Sequence, residues 1–98
     1  MIQEVENENG EKTYENVTDA IDIATGHNHT VVLKSDGTVW TTGNNGYGQL
    51  GDGTTSSRNI LRKVKLNKDG EELKNIIGVT AGNVSSYALT KDGKVYSW

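Results

Sequence analysis

The residue types able to do chemistry are few and lie in two places: His27 and His29, and the glycine-rich run GNNGYGQLGDGTTSS over residues 43–57. As a phosphate loop the run fails, because no Lys-Ser/Thr pair follows its glycines to meet the β- and γ-phosphates or to hold Mg²⁺. As a calcium loop it offers Asp52 and neutral oxygens, without the carboxylate count or terminal Glu of a hand-type site. His27 and His29 are both expected on a strand, with no Cys and no carboxylate cluster nearby to complete a metal ligand set. A hydrolase triad needs a nucleophile, a base and an orienter, and neither a Cys nor a G-x-S-x-G elbow is present. The expectation is a non-enzymatic chain with no catalytic residue, no metal and no cofactor.

The elements that carry these residues repeat. IDIATGHNHTVVLKSDGTVW (21–40) aligns without a gap on IGVTAGNVSSYALTKDGKVY (77–96), at an offset of 56 residues as from Gly26 to Gly82. The match sets Leu33 on Leu89, Asp36-Gly37 on Asp92-Gly93, Val39 on Val95 and Trp40 on Tyr96. IQEVENENGE (2–11) resembles LRKVKLNKDGE (61–71) more loosely, at the offset of 59 residues that separates Val5 from Val64. Each copy holds two β-rich runs around an Asp-Gly, a hairpin cue because these residues tolerate the positive φ of the turn. A short apolar run precedes each hairpin and an alternating outer segment precedes that, which predicts four strands per copy and eight in all. Helix is expected only as about one turn in KDGEELKNIIG (68–78), with Asp69 as a cap.

Four-stranded units at this period imply an all-β fold of β-propeller blades, each a small antiparallel sheet, roughly two blades per chain. The chain reads as a single repeat region, 1–98: an acidic outer strand and connector (2–20), a first repeat with its glycine-rich loop (21–57) and a second, truncated repeat (58–98).

The pattern formed by Gly26, His29, Thr30, Leu33, Asp36, Gly37, Val39, Trp40, Gly43, Asn45, Tyr47, Gly48, Gln49, Leu50, Gly51, Asp52, Gly53 and Thr54 resembles the repeat of the regulator of chromosome condensation family. The second copy keeps Gly82, Asp92, Gly93 and Tyr96 but has Ser85-Ser86 where the family's His-Thr pair falls, and the chain lacks the Pro common after the glycine loop. The resemblance implies a propeller used for binding, in a family that includes an exchange factor for a small GTPase. It makes the glycine-rich run a connector between the last strand of one blade and the first of the next, anchored by Tyr47, by the Gln49 amide and by Leu50 in an inter-blade core. His29 is expected to be buried and hydrogen-bonded between blades and His27 exposed, with Trp40, Tyr87, Tyr96 and Trp98 filling inter-blade space.

A chain of 98 residues with 33% hydrophobic residues and 12 Gly holds one small domain with a modest core. The net charge of -3 argues against nucleic acid as a partner. No basic-then-apolar leader and no apolar run near the roughly 20 residues of a membrane span appear, so a soluble chain without a secretory signal is expected. Glu4, Glu6, Glu8, Glu11, Glu15 and Asp19 face only Lys12 in the first twenty positions, whereas Arg58, Arg62, Lys63, Lys65 and Lys68 have no acid among them. These charges read either as solvated outer-strand faces or as a device steering one chain onto another.

Two blades cannot close a ring, so the expected partner is a protein or a further copy docked head to tail. Tyr47, Arg58, Arg62 and Lys63 are the candidate partner contacts. The functional expectation is a protein-binding or self-assembling scaffold, with part of a guanine-nucleotide exchange factor as the alternative.

Overall fold

The computed structural model describes residues 2–47, 49–50, 57–64 and 73–98, without the Arg58 side chain; Gly48, Gly51, Asp52, Gly53, Lys65, Lys68 and Asp69 lie outside the described residues. Among the described residues, nine strands run β1 (Ile2–Glu6), β2 (Lys12–Asn16), β3 (Ala20–Thr25), β4 (His29–Lys34), β5 (Val39–Gly43), β6 (Arg58–Lys63), β7 (Ile76–Ala81), β8 (Ser86–Thr90) and β9 (Val95–Ser97). Among the described residues there is no helix, and Ile76–Gly78, expected within a helical turn, open strand β7 instead.

The strands form a six-stranded sheet in the order β2-β1-β6-β5-β4-β3 and a three-stranded sheet β7-β8-β9. The 56-residue repeat is visible in the backbone as well as in the residue types. Gly37 and Gly93 take φ of 82° and 90° in the two Asp-Gly turns, and Asp19 and Asn75 take φ of 62° and 59° ahead of β3 and β7. Both copies then carry a register shift at the same place, between Ala20 and Asp22 and between Ile76 and Gly78. The Asp19 carbonyl accepts from Ser35 N and the Asn75 carbonyl from Lys91 N, each at 2.9 Å, which ties the left-handed residue to the following hairpin.

Two expectations are corrected here. Strand β6 pairs antiparallel with β5, Trp40 opposite Lys63, so the outer strand belongs to the sheet of β3–β5. The glycine-rich run therefore links two strands of one sheet instead of joining one blade to the next. A sequence period has no origin; hydrogen bonding along the free edge of β5 sets the phase. Strand β2, within what reads as a connector, is the second correction, since Lys12–Asn16 pairs along its full length with β1. The Asn7 side chain accepts from Asn9 N and Glu11 N at 2.9 Å each, closing that hairpin with an Asx turn.

The six-stranded sheet must curl. Its edge strands β2 and β3 are joined by residues 17–19, four Cα steps that reach at most about 15 Å. Five strand spacings of about 4.8 Å in a flat sheet require about 24 Å. The β1–β2 hairpin, attached to β6 through the parallel pair Gln3 and Leu61, accordingly folds back over one face of the sheet. There Val5 and Val17 pack against buried Val32, Trp40 and Leu61.

The opposite face packs on the second sheet. Val31, Leu33, Val39, Val64, Leu73, Ile76 and Ala88 form this core, flanked by Val79, Ala81, Tyr96 and Trp98. Alternation along β4 explains how one strand serves both clusters: Val31 and Leu33 point one way and Val32 the other. Leu33 is 1% exposed, so Leu33→Ala is expected to cost about 2–5 kcal/mol, read as an earlier midpoint in urea unfolding followed by circular dichroism.

Candidate functional site

The glycine-rich run and the seam between the sheets meet at His29. The β3–β4 turn brings Gly26 N to the His29 carbonyl at 2.9 Å, and the imidazole folds over Gly26 so closely that a Cβ there would collide with the ring and with the Gly82 carbonyl. The ring is buried, and its Nε2 lies 3.1 Å from the Ser85 carbonyl oxygen of the second sheet. A carbonyl only accepts, so Nε2 donates, and Nδ1 is buried without a partner among the described residues. His29 and Ser85 are repeat equivalents, so the first copy bonds to its own counterpart in the second. His27 is exposed in the bend before β4, off the strand where it was expected, and its amide reaches the Asn83 carbonyl at 3.3 Å.

The loop after β5 begins at Gly43, with φ of 112° and a backbone so close that a Cβ would stand 2.5 Å from the Asn28 carbonyl oxygen. Its described part is held by amide side chains, because a loop leaving a sheet has backbone N–H groups without strand partners. Buried Asn45 accepts from Leu50 N at 2.9 Å and donates its own N–H to Ser57 Oγ at 2.9 Å. Buried Gln49 accepts from Tyr47 N at 2.9 Å, and Asn44 Oδ1 accepts from Gly46 N. Leu50 is fully buried yet belongs to neither apolar cluster; Thr41 Oγ1 donates to its carbonyl at 2.6 Å. The loop is tied to the second sheet by Ser86 Oγ, which donates to the Gln49 carbonyl at 2.7 Å. The Tyr47 side chain, expected to help anchor the loop, is 77% exposed, and among the described residues it is the Tyr47 backbone that bonds within the loop.

At the far end of the hairpin, Asp36 Oδ1 accepts from Thr38 N at 3.0 Å and from Thr38 Oγ1 at 2.6 Å, and Thr38 Oγ1 in turn accepts from Trp40 Nε1 at 2.9 Å. The Thr38 hydroxyl holds the Asp36 carboxyl below the usual carboxylate range, and the Thr90 hydroxyl does the same for Asp92 in the second copy. Lys34 is buried with its Nζ 4.0 Å from the Trp40 ring centroid and bonded to Gln3 of the hairpin. Burial pushes its pKa down, against the opposing pull of Asp36, Asp19 and Glu15.

Two of the charged partner candidates, Arg62 and Lys63, make contacts inside the chain. Arg62 Nε lies 2.9 Å from Glu4 Oε2, and Lys63 Nζ lies 5.4 Å from the Trp40 ring centroid. The acidic first strand and the basic β6 therefore sit side by side in one sheet, where Arg62 pairs with Glu4 within the chain. Arg58 contributes backbone pairing to Gly43, and its side chain is outside the described residues, as are Gly48 and Gly51. Tyr96 flanks the inter-sheet core, whereas Trp40 fills the opposite face under the hairpin. Sequence reasoning overlooked Asp19 and Asn75; an Asp or Asn standing ahead of each apolar run at the repeat offset was the available signal.

The sequence matches the family model described as "Regulator of chromosome condensation (RCC1) repeat" over residues 36–89, and a second model of the same description over residues 20–49. The chain belongs to the regulator of chromosome condensation repeat family. The human X-linked retinitis pigmentosa GTPase regulator is 39% identical over 75 residues, covering 76% of this chain and 7% of that protein. The Regulator of chromosome condensation of Drosophila melanogaster is 41% identical over 76 residues, covering 78% of this chain and 13% of that protein. The chain thus spans a small part of these curated relatives. Among solved structures, human WBSCR16 superposes with a TM-score of 0.71 at 25% identity, over 96% of this chain and 24% of that one. Saccharomyces cerevisiae Prp20p, whose structure is described together with its binding to Gsp1p and histones, superposes with a TM-score of 0.63 at 26% identity, over 90% and 20%. The fold is that of β-propeller blades, with β3–β6 as one four-stranded blade.

Two outcomes are expected from these contacts. Asn45→Ala leaves the buried Leu50 N–H without its acceptor and should cost about 1–3 kcal/mol in urea unfolding. Because the folded Asp36 pKa is lowered from 3.8, its stabilisation is full above that pH and is lost as pH falls through the lower folded value. Thr38→Val removes the main cause, so its stability deficit at neutral pH should shrink when unfolding is measured at a pH below the lowered folded value.

Proposed function

We propose that the chain is a non-enzymatic propeller segment that binds a protein partner through the loop between β5 and β6. The observation that carries this reading is Tyr47, 77% exposed on a loop whose flanking Asn45, Gln49 and Leu50 are buried. A large ring held at the surface by a fixed backbone loses little conformational entropy on binding, and Tyr is enriched among residues that dominate interface energetics. The sequence holds neither a Cys nor a G-x-S-x-G elbow to work with His27 or His29, which supports the non-enzymatic reading.

Gsp1p and histones, the proteins that Prp20p is described as binding, are the first probes. The chain is expected to bind at least one of them, and Tyr47→Ser to weaken that binding about tenfold or more while leaving circular dichroism unchanged. Equal binding by wild type and variant, or binding to neither probe, overturns the loop reading, and turnover traceable to His27 or His29 overturns the non-enzymatic one.

A second reading, regulation of a small GTPase, is favoured by the GTPase regulator among the relatives. Nucleotide release from Gsp1p separates the two: a binding segment leaves the rate unchanged, whereas acceleration makes the chain part of an exchange factor.

A further inference from the structure

Strand β8 opens at Ser86, beside the place where His29 bonds to the second sheet. The Ser86 backbone is fixed by a pair of hydrogen bonds exchanged with Trp98, Ser86 N to the Trp98 carbonyl at 2.8 Å and Trp98 N to the Ser86 carbonyl at 3.0 Å. The carbonyl of Ser85, one position earlier, accepts from the His29 ring. Ser86 is fully buried, and its hydroxyl leaves the second sheet to donate to the Gln49 carbonyl at 2.7 Å.

That carbonyl is one end of a planar peptide unit whose other end is Leu50 N–H, which donates to Asn45 Oδ1 at 2.9 Å. A peptide gripped at its oxygen by one sheet and at its N–H by its own loop resists turning about the bonds that flank it. Its orientation sets where the Gln49 side chain departs, and Gln49 Oε1 accepts from Tyr47 N at 2.9 Å. Gln49 Nε2 donates to Asn44 Oδ1 at 3.3 Å, and Thr41 Oγ1 donates to the Leu50 carbonyl. Of these contacts, the one from Ser86 alone comes from the second sheet.

We propose that Ser86 is the positioning residue through which the second sheet sets the conformation of the loop that exposes Tyr47. Without its hydroxyl the buried Gln49 oxygen loses a donor, and the loop relieves that loss by turning this peptide toward water. The turn carries Gln49 Oε1 away from Tyr47 N and frees the Tyr47 ring to sample more orientations, which raises the entropic cost of fixing it against a partner. Binding through Tyr47 then depends on the second sheet, a consequence that rests on the loop binding proposed above; the positioning itself does not.

Amide exchange followed by nuclear magnetic resonance reads the loop directly. In Ser86→Ala the Tyr47 and Leu50 amides are expected to exchange about fivefold or more faster, while Lys34 N, bonded to the Thr38 carbonyl across the Asp36-Gly37 turn, keeps its wild-type rate. Ser86→Thr keeps the hydroxyl, and Thr30 stands at the equivalent position of the first copy, so the wild-type rates should return. Thr90→Ala removes the hydroxyl at the other end of β8, whose bond goes to Asp92, and should leave both loop amides unchanged. Loop amides unchanged in Ser86→Ala overturn the proposal. So does a folded Ser86→Thr that exchanges as fast as Ser86→Ala, or equal loosening by Thr90→Ala. Binding to Gsp1p and histones, measured on the same variants, tells positioning from recognition. Ser86→Ala is expected to weaken binding about fivefold or more, in the same direction as Tyr47→Ser. Tyr47→Ser binding weakly while Ser86→Ala binds as wild type overturns the dependence on the second sheet and leaves the loop reading standing. Loosened amides with neither probe bound support the positioning and overturn the loop reading alone.

Discussion

The sheet built around β4 buries apolar side chains on both faces, and that constraint governs the rest. A sheet with one oily face can rest against a single layer and turn polar side chains to water, but strand β4 buries Val31 and Leu33 on one side and Val32 on the other. Two covers are then required. The chain supplies one from its next repeat and part of the other from its first hairpin, and each cover needs its own fixing: the His29 bond to Ser85 on one side, the Glu4–Arg62 pair and the Lys34–Gln3 bond on the other.

The covers differ in physical character. The seam toward the second sheet is largely apolar, with hydrogen bonds from His27, His29 and Ser86 at its upper end and from Ile76 N to the Gly37 carbonyl at its lower end. The hairpin side contains the buried Lys34 side chain, whose desolvation lowers its pKa against the pull of Asp36, Asp19 and Glu15, and which bonds to the Gln3 amide and lies over the face of Trp40. A buried charge compensated in this way is a costly way to hold a surface shut. The hairpin also lies on only part of the face, since Ile21 and Ile23 remain exposed beside it.

The loop after β5 illustrates how a glycine-rich stretch becomes fixed. Gly43 permits the close approach to Asn28, but the positions that hold the chain are Asn45 and Gln49, whose side chains replace the missing strand partners of Leu50 N and Tyr47 N. Composition suggests flexibility here; the buried amides give the described part of the loop a defined shape and leave Tyr47 outside it.

Much of this was legible in the sequence. Local terms decide where Asp-Gly turns fall, where β-rich runs begin and end, and that the unit recurs from Gly26 to Gly82, because each depends on a few neighbouring residues. The family resemblance likewise rests on contiguous motifs, and the same motifs indicated a buried, seam-forming His29. Long-range pairing was not legible. That β6 closes the sheet of β3–β5, that Lys12–Asn16 forms a strand, and that Arg62 meets Glu4 within one sheet all depend on which free edge a strand reaches in space. Hydrogen bonding along an edge is nearly indifferent to side-chain type, so the sequence determined the repeat period and most of the strands, and only the tertiary structure decided that Lys12–Asn16 joins them and how they were grouped.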